Sequence, residues 1–98
     1  MKVRVYFCTE PDPELLLRKT RLSLQALGTM YELVWESEFK NLITIGKLWL
    51  KLEGSTEPFG IPFKKRRRAT IAPGDIIEMA GVFYMVMEVG VRKIELQA

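Results

Sequence analysis

The sequence predicts a small α/β domain of the α+β type, a sandwich with helices packed on a mixed sheet in the order β-α-β-α-β-β, with a possible last strand. Three observations carry this expectation. Residues 2–9 alternate in polarity and are followed by a leucine-rich stretch; the same change of period recurs over residues 30–53; and the C-terminal third alternates around a glycine turn. With 98 residues, 48% of them hydrophobic and 28% charged, the chain is one domain, 1–98, with enough apolar material for a packed core.

In "KVRVYFCT" (2–9), Val3, Val5 and Phe7 take one face and Arg4, Tyr6 and Cys8 the other, the signature of a strand. "EPDPE" follows: Asp12 suits an N-cap, Pro13 the first helical position, and Glu14 the positive end of the helix. The predicted helix runs through "ELLLRKTRLSLQAL" and stops at Gly28. On it Leu16, Leu17, Leu24 and Leu27 share one face, while Leu15, Leu22 and Ala26 form a second, roughly opposite one. That second face is either covered by the C-terminal half or offers a homodimer contact. "MYELVWES" (30–37) alternates again. Strand, helix and strand in this span form a βαβ unit, so the two strands are expected to be parallel with a right-handed crossover.

Residues 41–53 within "NLITIGKLWLKLEGS" admit two readings. Leu42, Ile45, Leu48, Trp49 and Leu52 keep helical spacing, yet "KLWLKLE" also alternates; helix is favoured, with Gly54 to end it. "STEPFGIPF" is a loop. "APGDIIEMAGVFYMVMEVG" reads as a hairpin, 75–79 and 82–89 around Ala80 and Gly81, whose second strand is apolar on both faces and belongs inside the sheet. "VRKIEL" supplies the possible last strand.

Composition narrows the function classes. The chain has no histidine and one cysteine, Cys8. The commonest general base, the usual partner of a Ser or Cys nucleophile, and a Cys-based metal cage are therefore missing. An enzyme is disfavoured and no cofactor is expected. No apolar run approaches the ~20 residues of a membrane span, and the N-terminus reads as a strand and not a signal peptide. A cytoplasmic protein without a membrane partner is the expectation.

The net charge is +3, so placement matters more than total. Lys64, Lys65, Arg66, Arg67 and Arg68 stand together before "APGD". Five adjacent cations beside a turn suit a phosphate backbone and salt-dependent, sequence-tolerant binding. An acidic protein surface and a merely solvated loop are the competing readings. Phe59 and Phe63 are the candidate stacking platforms, with Trp49 and Tyr84 read as core; Lys47 and Lys51, and also Arg92 and Lys93, extend the patch if they fall nearby. Asp75 reads as an aspartate that bonds its own turn, not as a catalytic group, and Glu32, Glu36 and Glu38 as solvated strand residues, not a cation site.

From Tyr31 onward the chain resembles the small YodL-like proteins of phages, plasmids and integrated elements. The resemblance rests on "YELVWESE", "LITIGKLWLKLEG" and "APGDIIEMAGVFYMVMEVGVRKIEL", with Gly74, Asp75, Ile76, Gly81, Tyr84, Gly90 and Ile94 at the positions of that pattern. Thr70 and Ala72 stand where it has serines, Pro73 where it has a small apolar residue, and Val91 where it has an aromatic one. The resemblance implies a helix over 41–53 and an accessory or binding module in place of an enzyme. The combined expectation is a small mobile-element protein that binds nucleic acid or a nucleoprotein through its basic loop. The alternatives are an inhibitor or adaptor acting on a host defence complex, and a self-associating structural component.

Overall fold

A computed structural model describes residues 1–10, 12–64 and 68–97. Among the described residues, six strands and three α-helices follow in the order β1 (Lys2–Cys8), α1 (Glu14–Leu17), β2 (Arg21–Ser23), α2 (Leu24–Met30), β3 (Tyr31–Glu38), α3 (Ile45–Leu52), β4 (Ile76–Met79), β5 (Val82–Val86) and β6 (Val91–Gln97). The strands form one mixed sheet, ordered β2-β6-β5-β4-β1-β3, in which only β2 and β6 run parallel. The expected small α+β domain with helices on a mixed sheet is what the chain adopts.

Its N-terminal half is connected differently from the expected βαβ unit. The long helix over 14–27 is two short ones, interrupted at β2, and the second continues through Gly28 to Met30. Ser23 caps α2 by accepting a 3.0 Å hydrogen bond from the Ala26 N–H. β1 and β3 are consequently antiparallel neighbours. The reason is long-range: β2 draws its ladder from β6, where Leu22 lies opposite Leu96 and the Glu95 N–H bonds the Thr20 carbonyl at 2.9 Å. Two opposed apolar faces on one helix are better satisfied by breaking it. Leu16 and Leu22 are buried by separate elements, while Leu15 and Leu24 stay exposed.

The connection between β2 and β3 also shapes the sheet. Five inter-strand steps in a flat sheet would hold the two edges about 24 Å apart. Yet α2, seven residues and about 10 Å long, joins them directly. The sheet therefore curls towards α2. Its concave face is packed by one side chain from each strand, Leu22, Ile94, Met85, Ile76, Cys8 and Tyr31, with Leu16 of α1 added. Arg92 fastens α1 over this core, donating to the Leu17 and Lys19 carbonyls at 2.6 and 2.5 Å.

The convex face carries the second core, in which Val3, Val5, Phe7, Ile77 and Val86 meet Leu48 and Leu52 of α3 and Phe63 and Ile71 of the long loop. Residues 45–52 are thus helical, as the spacing of Leu48 and Leu52 favours. Thr44 caps the start by accepting from the Lys47 N–H, and Gly54, at φ 69°, follows the end. Truncating either fully buried leucine to alanine costs about 2–5 kcal/mol. The C-terminal hairpin turns at Ala80 and Gly81, both at positive φ, as a two-residue connection of twisted strands requires.

Candidate nucleic-acid interface

The basic run leaves the convex core at one end and returns to the sheet at the other. Before it, Phe63 is 7% exposed and packs on the Phe7 ring at 4.9 Å. The Lys64 N–H bonds the Val34 carbonyl at 2.7 Å, on the edge strand β3. Val34 is the extra residue of a bulge, between partners Val5–Trp35 and Tyr6–Leu33. Trp35 adds a second tie, its indole N–H bonding the Ile61 carbonyl at 3.0 Å. Phe63 is therefore a core residue and not a stacking platform: a strand flank next to a curled sheet offers it a dry, aromatic seat.

After the run, Arg68 turns inward. Its guanidinium spans both oxygens of Asp75 at 2.6 and 2.7 Å and lies 4.4 Å over the Phe7 ring. Asp75 has no solvent-accessible surface. It also accepts from the Cys8 and Ala72 N–H groups, each at 2.8 Å, so one carboxylate joins β1, the 68–75 loop and the start of the hairpin. Burial pushes the Asp75 carboxyl up, while the Arg68 guanidinium and the two N–H groups draw it back; Arg68 is pushed up by the same bond. Arg68 thus belongs to the fold and not to the candidate binding surface. The reading of Asp75 as a turn-bonding aspartate holds for its Ala72 contact, but sequence reasoning misses its guanidinium partner.

Gly74 completes this corner. Its φ is 96°, the Tyr31 hydroxyl donates to its carbonyl at 2.8 Å, and an added Cβ would lie 2.6 Å from the Pro13 Cβ. Cys8 is buried beside it, and burial pushes its thiol up, which disfavours the nucleophilic thiolate.

Lys64 is exposed, as are Lys47 and Lys51 on the outer side of α3. Phe59 is 41% exposed but not loose, meeting Phe39 edge-on at 5.0 Å and Trp35 at 6.2 Å. Lys65, Arg66 and Arg67 lie outside the described residues. Lys64 helps to hold the Glu36 carboxyl below its ordinary range, after the larger effect of Arg4. Arg92 is committed to the end of α1.

A second polar cluster is one that sequence reasoning does not assemble. Arg4 donates to Glu36 at 2.6 Å and to Glu78 at 3.3 and 3.4 Å, and Tyr6 donates to Glu78 at 2.9 Å. The alternation of β1 puts Arg4 and Tyr6 on one face; their acidic partners come from β3 and β4, which no local spacing reveals. Glu38 is held by the Met1 amino group at 2.8 Å. Among the described residues no three acidic or cysteine side chains are grouped to hold a metal, and no helix is long and apolar enough to cross a membrane.

No protein-family model matches the sequence, and no curated protein or solved structure matches it either.

Proposed function

We propose that this chain is a small non-enzymatic accessory protein that binds a nucleic-acid or nucleoprotein backbone through Lys64, Lys65, Arg66 and Arg67. One observation supports the reading above the solvated-loop alternative. Both flanks of the run are fastened, by Phe63 and the Lys64 N–H on one side and by Arg68 on Asp75 on the other. A short basic segment held at both ends loses less chain entropy on meeting a polyanion than a free tail does. Exposed Lys47 and Lys51 add positive charge on the same domain. The accessory role and a mobile-element origin rest on the resemblance to YodL-like proteins.

The test keeps Arg68 in place. A variant with Lys64, Lys65, Arg66 and Arg67 changed to Ser or Gln is compared with wild type for binding to mixed-sequence single-stranded and duplex oligonucleotides across a salt series. Loss of affinity, with the log–log salt slope reduced by about 3, is expected for four phosphate contacts. Absence of wild-type binding at low salt ends the proposal, as does an unchanged slope in a folded variant.

A further inference from the structure

We infer that Phe59 is a base-stacking platform, so that the nucleic acid this chain takes is single-stranded, with a base on Phe59 and a phosphate at Lys64. The inference rests on the reading of the basic run as a backbone grip and adds to it the form of the polymer.

The two phenylalanines of the loop before the run are held in different ways. Phe63 is buried against Phe7 in an ordinary core contact. Phe59 keeps 41% of its surface in water, and its backbone is strained. The Ile61 N–H bonds the Pro58 carbonyl at 3.0 Å, closing a turn whose central residues, Phe59 and Gly60, have φ of 54° and 79°. Turns with two positive φ angles take Gly, Asn or Asp, because a larger side chain crowds its own backbone there. Among the described residues only Phe59 and Ala80 combine a side chain with positive φ. Gly or Asn would close the same turn without that strain. What phenylalanine adds is ring surface, part of it packed and the rest turned to solvent. Backbone strain of this kind gathers at ligand contacts.

The surroundings of the ring suit a stacked base. Phe39 meets it edge-on at 5.0 Å and Trp35 is tilted against it at 6.2 Å, so its orientation is fixed. A Cβ added at the neighbouring Gly60 would meet nothing within 4 Å, which leaves that side of the turn open. Gly60, Ile61 and Pro62 are exposed and uncharged, so the chain between the ring and Lys64 brings no carboxylate. These five positions reach at most about 18 Å. Both ends are tied to adjacent residues of β3: Trp35 packs on Phe59 and holds the Ile61 carbonyl, and the Val34 carbonyl holds the Lys64 N–H. One oligonucleotide can therefore reach both within a few nucleotides. Glu36 and Glu38 of the same strand are paired with Arg4 and the Met1 amino group, at 2.6 and 2.8 Å, which limits their repulsion of phosphates. A duplex keeps its base faces stacked on one another and cannot offer one to Phe59; a single strand can, whatever its sequence.

The test compares three labelled polymers: a mixed-sequence single strand of about twelve nucleotides, its duplex, and an abasic strand with the same number of phosphates. Each is titrated across a salt series against wild type, Phe59→Leu, which keeps apolar bulk without a stacking face, and Phe59→Trp, which restores one. Wild type should bind the base-bearing strand about tenfold or more tighter than the abasic one. F59L should lose that difference and F59W should keep it. The salt slope should be the same in all three proteins, and duplex affinity equal in wild type and F59L, because the phosphate contacts are untouched. If wild type binds base-bearing and abasic strands alike, or folded F59L keeps the preference, the inference is overturned and the backbone grip stands. An equal loss of duplex affinity in F59L overturns it too. If wild type binds none of the polymers, the grip itself fails and the inference with it. Should F59L not fold, NMR of wild type decides: the Phe59 ring protons should move upfield with the base-bearing strand and not with the abasic one, and unmoved signals reject the stacking.

Discussion

Replacing Arg68 by Gln tests whether the basic run is one object or two. Asp75 is fully buried beneath Arg68, and the substitution leaves it only the Cys8 and Ala72 N–H groups as protein donors seen in the wild-type structure. Removing one partner of a buried ion pair costs about 3–5 kcal/mol. Arg68 keeps 32% of its side-chain surface exposed, so water can reach the vacated side, and the lower end applies, about 3 kcal/mol. A domain of this size holds about 5–15 kcal/mol in total, and each kcal/mol moves its midpoint by about 4–8 °C. R68Q should therefore unfold about 12–24 °C below wild type. Circular dichroism melts and urea titrations of wild type, R68Q, D75N and the double variant measure this. The double variant should lose less than the sum of the singles by at least about 1 kcal/mol, because D75N removes the buried charge that R68Q alone would strand. Exposed Lys64 supplies the control, since K64Q should stay within about 0.5 kcal/mol of wild type. If R68Q behaves like K64Q, the bond to Asp75 does not hold the fold, and Arg68 returns to the candidate binding surface.

The same corner and the second polar cluster yield two more expectations. Gly74→Ala combines a φ of 96° with a Cβ 2.6 Å from the Pro13 Cβ; it should cost at least about 2 kcal/mol in urea unfolding, and a neutral effect would mean that the 68–75 corner is not rigid. Tyr6 is pushed up to about 12, first by burial and then by its bond to Glu78. The fold favours its protonated form, so that stabilisation is complete below the ordinary tyrosine value and is lost as pH rises from about 10 to about 12. Burial pushes Tyr31 up as well, so the step is read at the Tyr6 ring carbons by NMR, where Glu78→Gln should shift it to lower pH; an unmoved Tyr6 step would remove Glu78 as its cause.

What the sequence made legible follows from the range of the interactions. The strand at residues 2–8, the cap and spacing of α3, and the turn at Ala80 and Gly81 are each specified by neighbours within a few residues, and each forms as expected. β2 is the contrary case. Its three residues sit in a leucine-rich stretch that reads as helix, and only a partner more than seventy positions later makes it a strand. The antiparallel pairing of β1 with β3 and the curl of the sheet both follow from that one insertion. The polar cluster of Arg4, Glu36 and Glu78 was illegible for the same reason, since its members meet through register and not through spacing.

The basic run shows how a linear pattern can merge two physical roles. Its five side chains are chemically alike, so composition treats them as equivalent. What separates Arg68 is a carboxylate seven positions on that lies where no water reaches. An aspartate that caps its own turn has no need of burial; one enclosed by β1, β4 and the loop requires a counter-charge, and the nearest fixed cation is the last of the run. Changing all five residues together would therefore confound lost affinity with lost stability. A binding-deficient variant can be ascribed to the loop only when Arg68 is retained and the melting midpoint is unchanged. That pair of measurements separates a grip for phosphates from a clasp for the fold.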